Sequence, residues 1–444
     1  MKQASTTDTG GVTLSTGHPQ LLATIKAEIA ATGPIPFARF MELALYHPQY
    51  GYYVRPVDHP TQERIGWSGD FYTSSDVHPI LGQALAKQAQ QLDAYLGHPD
   101  PFTVVEMGAG KGLLARDFLA ACRNAPAHFS ERLRYILIER SAAMRTLQQQ
   151  ALAPWLDQTG RVTWLDRLED LPPDSVTGLF FSNELVDAFP VHRLAVIDGQ
   201  PQELYVDVCD DRFTEVYRPL SEALASYLRE GAISLPDGYR TEINLGAIQW
   251  MTQVAQVVDR GAVLTIDYGH TAEDLYGPER KNGTFLCYYS QMTSEDAYDR
   301  VGEQDMTAHV DFTALARAGQ QAGLDVTGFT NQMSFLIGLG AEQFLESLEP
   351  ESPEFYAAIH LLRPDGMGRT FKVLVQHKGM AKPELDGLKF KPFFGSILHT
   401  DTRSHDASRT TLHDPPLCRQ VYAISSLPRD APYHGPITNR RGDS

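Results

Sequence analysis

Three glycines follow a short apolar run in the stretch FTVVEMGAGKGLLARDFL, which begins at Phe102. The run ends on Glu106, and Gly108, Gly110 and Gly112 come directly after it. Apolar residues then recur at helical spacing, which predicts a strand, a glycine-rich turn and a helix start in that order. Because glycine has no Cβ atom, the chain can turn sharply there, and a ligand can approach the backbone at the helix N-terminus. This arrangement favours a nucleoside cofactor.

The turn matches neither of the common phosphate-binding motifs. A dinucleotide fingerprint requires its third glycine where Leu113 stands, and a P-loop requires Gly-Lys followed by Ser or Thr, whereas Lys111 here precedes Gly112. S-adenosylmethionine (SAM) carries no phosphate, so its site needs a close backbone approach and a carboxylate for the ribose. Glu139 ends a second apolar run, where the acid of a doubly wound sheet accepts ribose hydroxyls. These residues predict a SAM site, although glycines needed only for packing and a solvated Glu139 would give the same pattern.

The elements that must hold these residues are strands that alternate with helices. Strand candidates follow the glycine turn at the spacing of β-α repeats, which is typical of a parallel sheet covered by helices. They are residues 135–139, 161–164, 178–183, 262–267, 325–329 and 370–376. We therefore expect an α/β fold.

Changes in composition and periodicity divide the chain into segments. They are a flexible leader (1–19), an N-terminal helical segment (20–100) with helices near 20–31, 37–45 and 78–96, a core (101–378) and an irregular tail (379–444). Between the fourth and fifth strands, an insertion at 191–260 shows three short antiparallel strands and then two helices. Open α/β sheets bind ligands at the carboxyl ends of their strands, so the insertion is expected to be a substrate cap.

Composition excludes several classes of function. A net charge of −17 over 444 residues argues against nucleic acid as the main partner and favours a cationic substrate. The four cysteines are scattered without metal-ligand spacing, so we predict no metal and expect reduced thiols in a cytoplasmic protein. No apolar run reaches the roughly 18 residues of a membrane span. The leader shows neither a signal peptide nor the arginines of a transit peptide.

Seven segments between about residue 35 and residue 375 belong together. They are PIPFARFMELALYHPQYGYY, GDFYTSSDVHPILGQALA, VVEMGAGKGLLARDFL, FFSNELVDAFPVHRL, LTIDYG, GTFLCYY and DMTAHVDF. On these segments the chain resembles the MidA-like methyltransferases, a class I SAM-dependent family that includes the arginine methyltransferase acting as a mitochondrial complex I assembly factor. The resemblance implies a Rossmann-like class I methyltransferase core with a mostly parallel seven-stranded sheet. It also implies SAM at Glu106, Gly108, Gly110 and Glu139, and an arginine on another protein as the target.

The chain departs from the family after Tyr288 and Tyr289. The family tends to carry basic residues there, whereas this chain has Ser290 and Gln291. Any role of that turn is therefore open.

An arginine target makes a specific demand, because its guanidinium stays protonated with a pKa above about 12. Carboxylates accept the planar guanidinium bidentately and draw its charge away from the attacking nitrogen. Glu184 and Asp187 follow an apolar strand and are the predicted catalytic acids, with Asn183 near the methionine part of SAM. The alternative makes Glu184 a helix first-turn acid and Asp187 a capping residue.

Three more segments carry candidates. Asp70 is predicted to take the SAM amino group and Phe71 to cover the adenine or sulfonium, with Thr73 in the same cofactor loop. The alternative for this loop is an Asx-turn beside a core aromatic residue. His309 is the third predicted catalytic residue, as a proton acceptor or a positioner, with a purely structural histidine as the alternative. Residues 267–269 are candidates for lining the substrate side, and the alternative is a turn with a buried tyrosine.

The leading hypothesis is a SAM-dependent methyltransferase that acts on arginine in a protein, for which a respiratory-complex subunit is one candidate and a homodimer one candidate assembly. One alternative is a SAM-binding assembly factor with little turnover, and another is a small-molecule methyltransferase. An NAD-dependent dehydrogenase is disfavoured by the missing third glycine.

Overall fold

The computed structural model of the protein describes residues 15–55, 64–66, 69–123, 125–156 and 160–390. Most of the predicted leader and the tail beyond residue 390 lie outside these described residues. Among the described helices, none combines the length and the apolar character needed to cross a membrane.

Seven strands form the path of the central sheet. They are β1 (Phe102–Met107), β2 (Leu133–Ile138), β3 (Val162–Leu165), β4 (Val176–Asn183), β5 (Val258–His270), β6 (Asp325–Asn331) and β7 (Phe371–Lys378). Their order is β6-β7-β5-β4-β1-β2-β3, and the short strand Val310–Asp311 pairs with the end of β5. The five neighbouring strands β5, β4, β1, β2 and β3 run parallel to one another, whereas β7 is antiparallel to both of its neighbours, β6 and β5. The expected Rossmann-like, mostly parallel core is confirmed.

The sheet is buried on both faces because its strands are apolar on both sides. Phe180 and Phe181 are adjacent in β4 and belong to different hydrophobic clusters, as the alternation of side chains along a strand requires. The helices Ile80–Tyr95 and Leu113–Cys122 cover one face, and Leu245–Val257 and Phe312–Gln321 cover the other. Strand order reverses between β1 and β4, which is the point where open α/β sheets bind ligands.

The insertion and the N-terminal segment share one hydrophobic cluster. The strands Ile35–Pro36, His192–Ile197, Gln200–Cys209, Arg212–Pro219 and Arg240–Ile243 form a five-stranded antiparallel sheet. The helices Pro19–Thr32 and Phe37–Tyr46 pack on this sheet through residues such as Phe37 and Phe40. We call this assembly the cap. The second helix expected in the insertion is Leu245–Val257, which packs on the core sheet instead.

A third, small sheet was not expected from the sequence. It consists of Leu286–Tyr289, Met292–Ser294 and Asp305–Thr307. Strands of three or four residues are too short to show a reliable alternation of apolar and polar positions. The remaining helices are Ser74–Val77, Ala127–Arg132, Ala142–Ala151, Glu222–Glu230, Ala272–Leu275, Gln332–Gly338, Ala341–Leu345, Pro353–Leu362 and Met367–Thr370, with 3-10 turns at Ala153–Trp155, Leu168–Asp170, Pro278–Arg280 and Asp386–Leu388.

The stability of the core can be tested at Phe181, which is fully buried and stacks on Phe118 with ring centroids 6.5 Å apart. Phe181→Ala should lower the free energy of unfolding by about 3–5 kcal/mol, because it removes a large apolar side chain and leaves a cavity. Phe390→Ala is the control, since Phe390 is 53% exposed, and its effect should stay within about 0.5 kcal/mol. Denaturant unfolding followed by circular dichroism measures both. Equal losses in the two variants would contradict this account of the core.

Candidate active site

The glycine turn after β1 has the geometry that its composition predicts. Gly108, Gly110 and Gly112 have φ values of 78°, 52° and 80°, in the left-handed region that favours glycine. A Cβ atom on Gly108 would lie 2.8 Å from Cδ1 of Leu185, so a larger residue would displace the end of that side chain. A Cβ atom on Gly110 would meet no atom within 4 Å. The turn therefore exposes backbone to an open space at the carboxyl end of β1.

Glu139 follows β2 and takes part in a hydrogen-bond network with the glycine turn. Its carboxylate accepts from the backbone N–H of Ser141 at 2.8 Å and from Nε2 of Gln148 at 3.0 Å. The same Gln148 nitrogen lies 2.9 Å from the carbonyl oxygen of Gly110, and Trp164 donates to Oε1 of Gln148 at 2.9 Å. Burial raises the pKa of Glu139. Sequence analysis missed Gln148, because a buried glutamine in a run of glutamines gives no signal.

Glu106 lies beneath the turn. The residue is 2% exposed, and its carboxylate accepts a hydrogen bond of 2.5 Å from the Tyr135 hydroxyl. Burial raises its pKa to about 7. In this position Glu106 joins β1 to β2, and direct contact with a cofactor stays a prediction.

The loop that carries Thr73 connects the glycine turn to the acidic segment after β4. Asp76 accepts hydrogen bonds of 3.0 Å from both the backbone N–H and the hydroxyl of Thr73, and it pairs with Lys111 of the turn at 2.6 Å. The next N–H, that of Ser74, donates to Oε1 of Glu184 at 2.9 Å. The structure thus brings the predicted cofactor loop and a predicted catalytic acid into contact.

Asp70 already has partners for both of its carboxylate oxygens. Oδ2 accepts from the Tyr52 hydroxyl and Oδ1 accepts from the backbone N–H of Ser290, each at 2.8 Å. Phe71 is partly buried against the hydrophobic cluster of the cap. A contact between Asp70 and the amino group of SAM stays a prediction, and the observed contacts connect Asp70 to the small third sheet.

The segment after β4 presents two acids. Glu184 has a φ of 51°, unusual for a residue other than glycine, and its Oε1 also accepts from Asn183 at 3.0 Å. Burial, followed by the charge of Asp187, raises the pKa of Glu184 to about 8. Asp187 is 6% exposed, and its Oδ2 accepts from the Tyr268 hydroxyl. Its Oδ1 is buried and has no well-aligned hydrogen-bond partner among the described residues, although the backbone N–H groups of Asp187 and Ala188 act on the carboxylate and oppose the rise of its pKa.

Asp267, at the carboxyl end of β5, holds this segment in place. Its Oδ2 accepts from the backbone N–H groups of Leu185, Val186 and Asp187 at 3.2, 2.9 and 3.3 Å. Asp267 is fully buried, and burial together with the charge of Asp187 raises its pKa well above the ordinary value. The sequence predicts that Asp267 lines the substrate side. In the structure it lies directly under the segment that carries Glu184 and Asp187, and contact with a substrate stays a prediction.

A fourth acid, Asp305, was not singled out from the sequence. It accepts from the Tyr53 hydroxyl at 2.7 Å, and burial followed by the charge of Asp187 raises its pKa to about 7. We call Glu184, Asp187, Asp267 and Asp305 the acidic cluster. Asp305 begins the segment DMTAHVDF. Its hydrogen bond comes from Tyr53, 252 positions away, and no local pattern in the sequence indicates that pairing.

His309 lies beside the acidic cluster. Its ring packs edge-on against Tyr268 with centroids 5.5 Å apart, and its Nδ1 lies 3.0 Å from Nε2 of His270. Arg280 donates through Nε to that same nitrogen at 3.1 Å. Since an arginine N–H can only donate, Nε2 of His270 is an acceptor, and the proton of His309 resides on Nδ1. Burial lowers the pKa of His309 to about 3, so the ring is neutral with Nε2 unprotonated.

One group of side chains in the described part of the chain has the spacing of metal ligands. Ligand atoms of Asp93, His98 and His128 lie within 4.8 Å of one another. Arg132, however, donates to both carboxylate oxygens of Asp93, at 2.8 and 2.9 Å. The guanidinium provides the charge that a cation would supply, so this group is explained as a structural ion pair.

Comparisons with known proteins agree with this geometry. The family model Methyltransf_28, which describes S-adenosyl-L-methionine-dependent methyltransferases, matches residues 81–330. The mitochondrial protein arginine methyltransferase NDUFAF7 homolog of Drosophila melanogaster is 30% identical over 404 residues, which cover 83% of this chain and 87% of that protein. The mitochondrial protein arginine methyltransferase NDUFAF7 of Homo sapiens is 24% identical over 428 residues, covering 92% of this chain and 90% of the human protein.

A solved structure supports the same assignment. A COG1565 superfamily member from Burkholderia thailandensis, crystallised with S-adenosyl-homocysteine, is 32% identical with a TM-score of 0.74. The match covers 84% of this chain and 97% of the bacterial one.

The expectation of a cytoplasmic location is wrong. The NDUFAF7 relatives from fly and human are both named as mitochondrial proteins. The expectation depended on scattered cysteines, which indicate only that thiols stay reduced and do not identify a compartment.

The resemblance to the MidA-like methyltransferases is therefore confirmed over most of the chain. With a glycine turn open to a ligand at the switch point of its sheet, the chain belongs to the S-adenosyl-L-methionine-dependent methyltransferases of the Methyltransf_28 family.

Proposed function

We propose that this methyltransferase modifies an arginine side chain on a protein substrate. The observation that carries the proposal is Oδ1 of Asp187, a buried carboxylate oxygen without a well-aligned partner among the described residues, within a cluster of four acids. A buried carboxylate oxygen that lacks a well-aligned donor is costly, and a guanidinium that donates to it would remove the cost. The names of the NDUFAF7 relatives support an arginine in a protein as the acceptor.

The residues around the glycine turn fit SAM. Gly108 and Gly110 leave backbone accessible, and Glu139, which Gln148 holds beside the turn, is the proposed acceptor of the ribose hydroxyls. Asn183 is 8% exposed, and its Oδ1 has no partner within the described part of the chain, so it can accept from the amino group of the methionine part. When bound, SAM supplies an electrophilic methyl group on a positively charged sulfur.

In this proposal Glu184 and Asp187 bind and orient the guanidinium. Asp267 fixes their backbone, and Tyr268 fixes the carboxylate of Asp187. Methyl transfer to one guanidinium nitrogen requires that this nitrogen lose a proton, so that the product keeps a single positive charge. The carboxylate of Glu184, whose pKa is raised to about 8, is the proposed acceptor of that proton, and the neutral His309, with its pKa lowered to about 3, is proposed as a positioner.

The identity of the protein partner is a finer question. A respiratory-complex subunit as the acceptor and a homodimer as the assembly both stay predictions. A role as an assembly factor with little turnover is the main alternative. In that role the protein would assemble with its partner without the acids of the cluster, whereas methyl transfer requires them.

Gly110 provides a test of the cofactor site. Gly110→Ala should weaken S-adenosyl-homocysteine binding by at least about tenfold, because the new Cβ atom stands in the open space proposed for the ligand. Gly97→Ala is a matched control, since Gly97 also has a positive φ, of 76°, and a Cβ atom there would meet no atom within 4 Å. Both variants should lose about 1 kcal/mol of stability from backbone strain. Calorimetric titration that found equal weakening in both would contradict this placement.

The acidic cluster provides a test of the reaction. Glu184→Gln and Asp187→Asn should each lower arginine methylation by about 100-fold or more, because each removes charge that stabilises the guanidinium during transfer. Binding of S-adenosyl-homocysteine should change by less than about threefold. Mass spectrometry of arginine-bearing candidate substrates measures methylation, and Glu222→Gln is the control, since Glu222 begins the helix Glu222–Glu230 with an 84% exposed side chain.

Two results would contradict the arginine proposal. One is full methylation by the Glu184→Gln, Asp187→Asn double variant. The other is the absence of methylarginine in every candidate substrate although the wild-type protein binds S-adenosyl-homocysteine. Partner assembly that survives in the double variant would favour the assembly-factor alternative.

The raised pKa of Glu184 predicts a pH dependence. In the folded protein this pKa rises from its ordinary 4.5 to about 8, so the empty site holds Glu184 mainly protonated at neutral pH. A cationic guanidinium binds the carboxylate, and therefore kcat/KM should rise between about pH 6 and pH 8 and then level off. Asp187, Asp267 and Asp305 also have raised pKa values and interact electrostatically within the acidic cluster, so they should broaden the rise.

The same shift has the opposite effect on the stability of the empty enzyme. Because the unfolded chain ionises Glu184 at a lower pH than the folded one, its contribution to stability is complete below pH 4.5 and is lost as pH rises toward 8. Glu184→Gln should reduce the slopes of both profiles. A wild-type kcat/KM that falls across pH 6 to 8 would contradict this assignment.

A further inference from the structure

The turn between the strands Leu286–Tyr289 and Met292–Ser294 has an unusual backbone. Its two central residues, Ser290 and Gln291, have φ values of 49° and 61°. Two positive values in succession are those of a type I′ turn, which favours Asn-Gly because residues with larger side chains are strained there. Neither Ser nor Gln is suited to this turn, so an interaction outside the hairpin must hold it.

Asp70 supplies that interaction. Its Oδ1 accepts from the N–H of Ser290 at 2.8 Å, and its backbone carbonyl accepts from the N–H of Gln291 at 3.0 Å. These N–H groups belong to the two central residues, which lie between the paired positions Tyr289 and Met292 of the hairpin. Tyr52 donates to the other carboxylate oxygen of Asp70 at 2.8 Å, which fixes the orientation of the carboxylate.

The hairpin forms part of the wall around the acidic cluster. Tyr288 pairs with Asp305 in the small sheet, and the chain then continues to Ala308, whose N–H donates to the carbonyl of Asp187 at 3.0 Å. Asp70 itself begins the loop that runs to Ser74, and the N–H of Ser74 donates to Glu184. Asp70 therefore lies between the cofactor loop and the hairpin.

We propose that Asp70 is a positioning residue that holds the Ser290–Gln291 turn against the cofactor loop and thereby fixes one wall of the acceptor site. Its effect is on the binding of the methyl acceptor and not on the cofactor. The acceptor part rests on the function proposed above, whereas the contact between Asp70 and the turn does not.

The experiment uses the full-length protein and the variant Asp70→Ala. Hydrogen–deuterium exchange in the peptide that spans residues 286–294 should become about tenfold faster, because a charged acceptor of a backbone N–H is lost. The KM for an arginine substrate should rise about tenfold, while affinity for S-adenosyl-homocysteine should change less than twofold. Adding Ser290→Asn and Gln291→Gly to Asp70→Ala should restore slow exchange and a low KM, because the new turn is favourable without the clamp.

Two control variants keep the test independent of folding. Asp70→Asn retains an oxygen acceptor and should resemble the wild type. Tyr52→Phe removes the hydroxyl that orients the Asp70 carboxylate and should speed exchange at 286–294 by less than Asp70→Ala does, because the carboxylate itself remains. The proposal is overturned if Asp70→Ala weakens cofactor binding about tenfold and leaves exchange unchanged, since Asp70 would then contact SAM. It is also overturned if the Asn-Gly turn restores neither exchange nor KM. If the wild type methylates no arginine, the proposed function fails. The exchange measurements still show whether Asp70 holds the Ser290–Gln291 turn.

Discussion

The clustering of four carboxyl groups, three of them buried and Glu184 partly buried, is the constraint on which the site depends. An acid removed from water is costly unless hydrogen bonds or an opposite charge compensate it. The protein supplies most of the compensation itself: three backbone N–H groups bind Asp267, and tyrosine hydroxyls bind Asp187 and Asp305. Oδ1 of Asp187 has no well-aligned partner among the described residues. The residual cost is one that the cationic substrate proposed above would offset.

Direct contacts connect the proposed cofactor site to the acidic cluster. Leu185 lies against Gly108, Lys111 of the glycine turn pairs with Asp76, and the helix that Asp76 helps to cap begins with Ser74, which contacts Glu184. In-line methyl transfer depends on the alignment of nucleophile, methyl group and sulfur. A shift of the glycine turn relative to the acids would disturb that alignment, and these short contacts oppose such a shift.

The core could be predicted from the sequence because its signals are local. β1, the glycines and Glu139 lie within 40 residues and repeat the strand–turn–helix pattern that periodicity detects. The rest of the site depends on pairings that no local pattern records. Tyr53 meets Asp305 across 252 positions, and Asp70 meets Ser290 across 220. For that reason the sequence around Asp70 predicts a contact with the cofactor, whereas in the structure its carboxylate contacts the hairpin. Gln148 was missed because nothing in its own segment indicates that it bonds to Gly110.

The same acids bear on the choice between arginine and lysine. A lysine must lose its proton before its nitrogen can attack, and a pocket of carboxylates stabilises the ammonium, which raises its pKa and suppresses the reactive form. An arginine stays protonated in any environment, so it loses nothing by entering the acidic cluster, and its planar fork can meet two carboxylates at once. Glu184 and Asp187 are carried on one segment whose backbone Asp267 fixes at three N–H groups. For the proposed function, the acidic cluster therefore fits the chemistry of a guanidinium better than that of an ammonium.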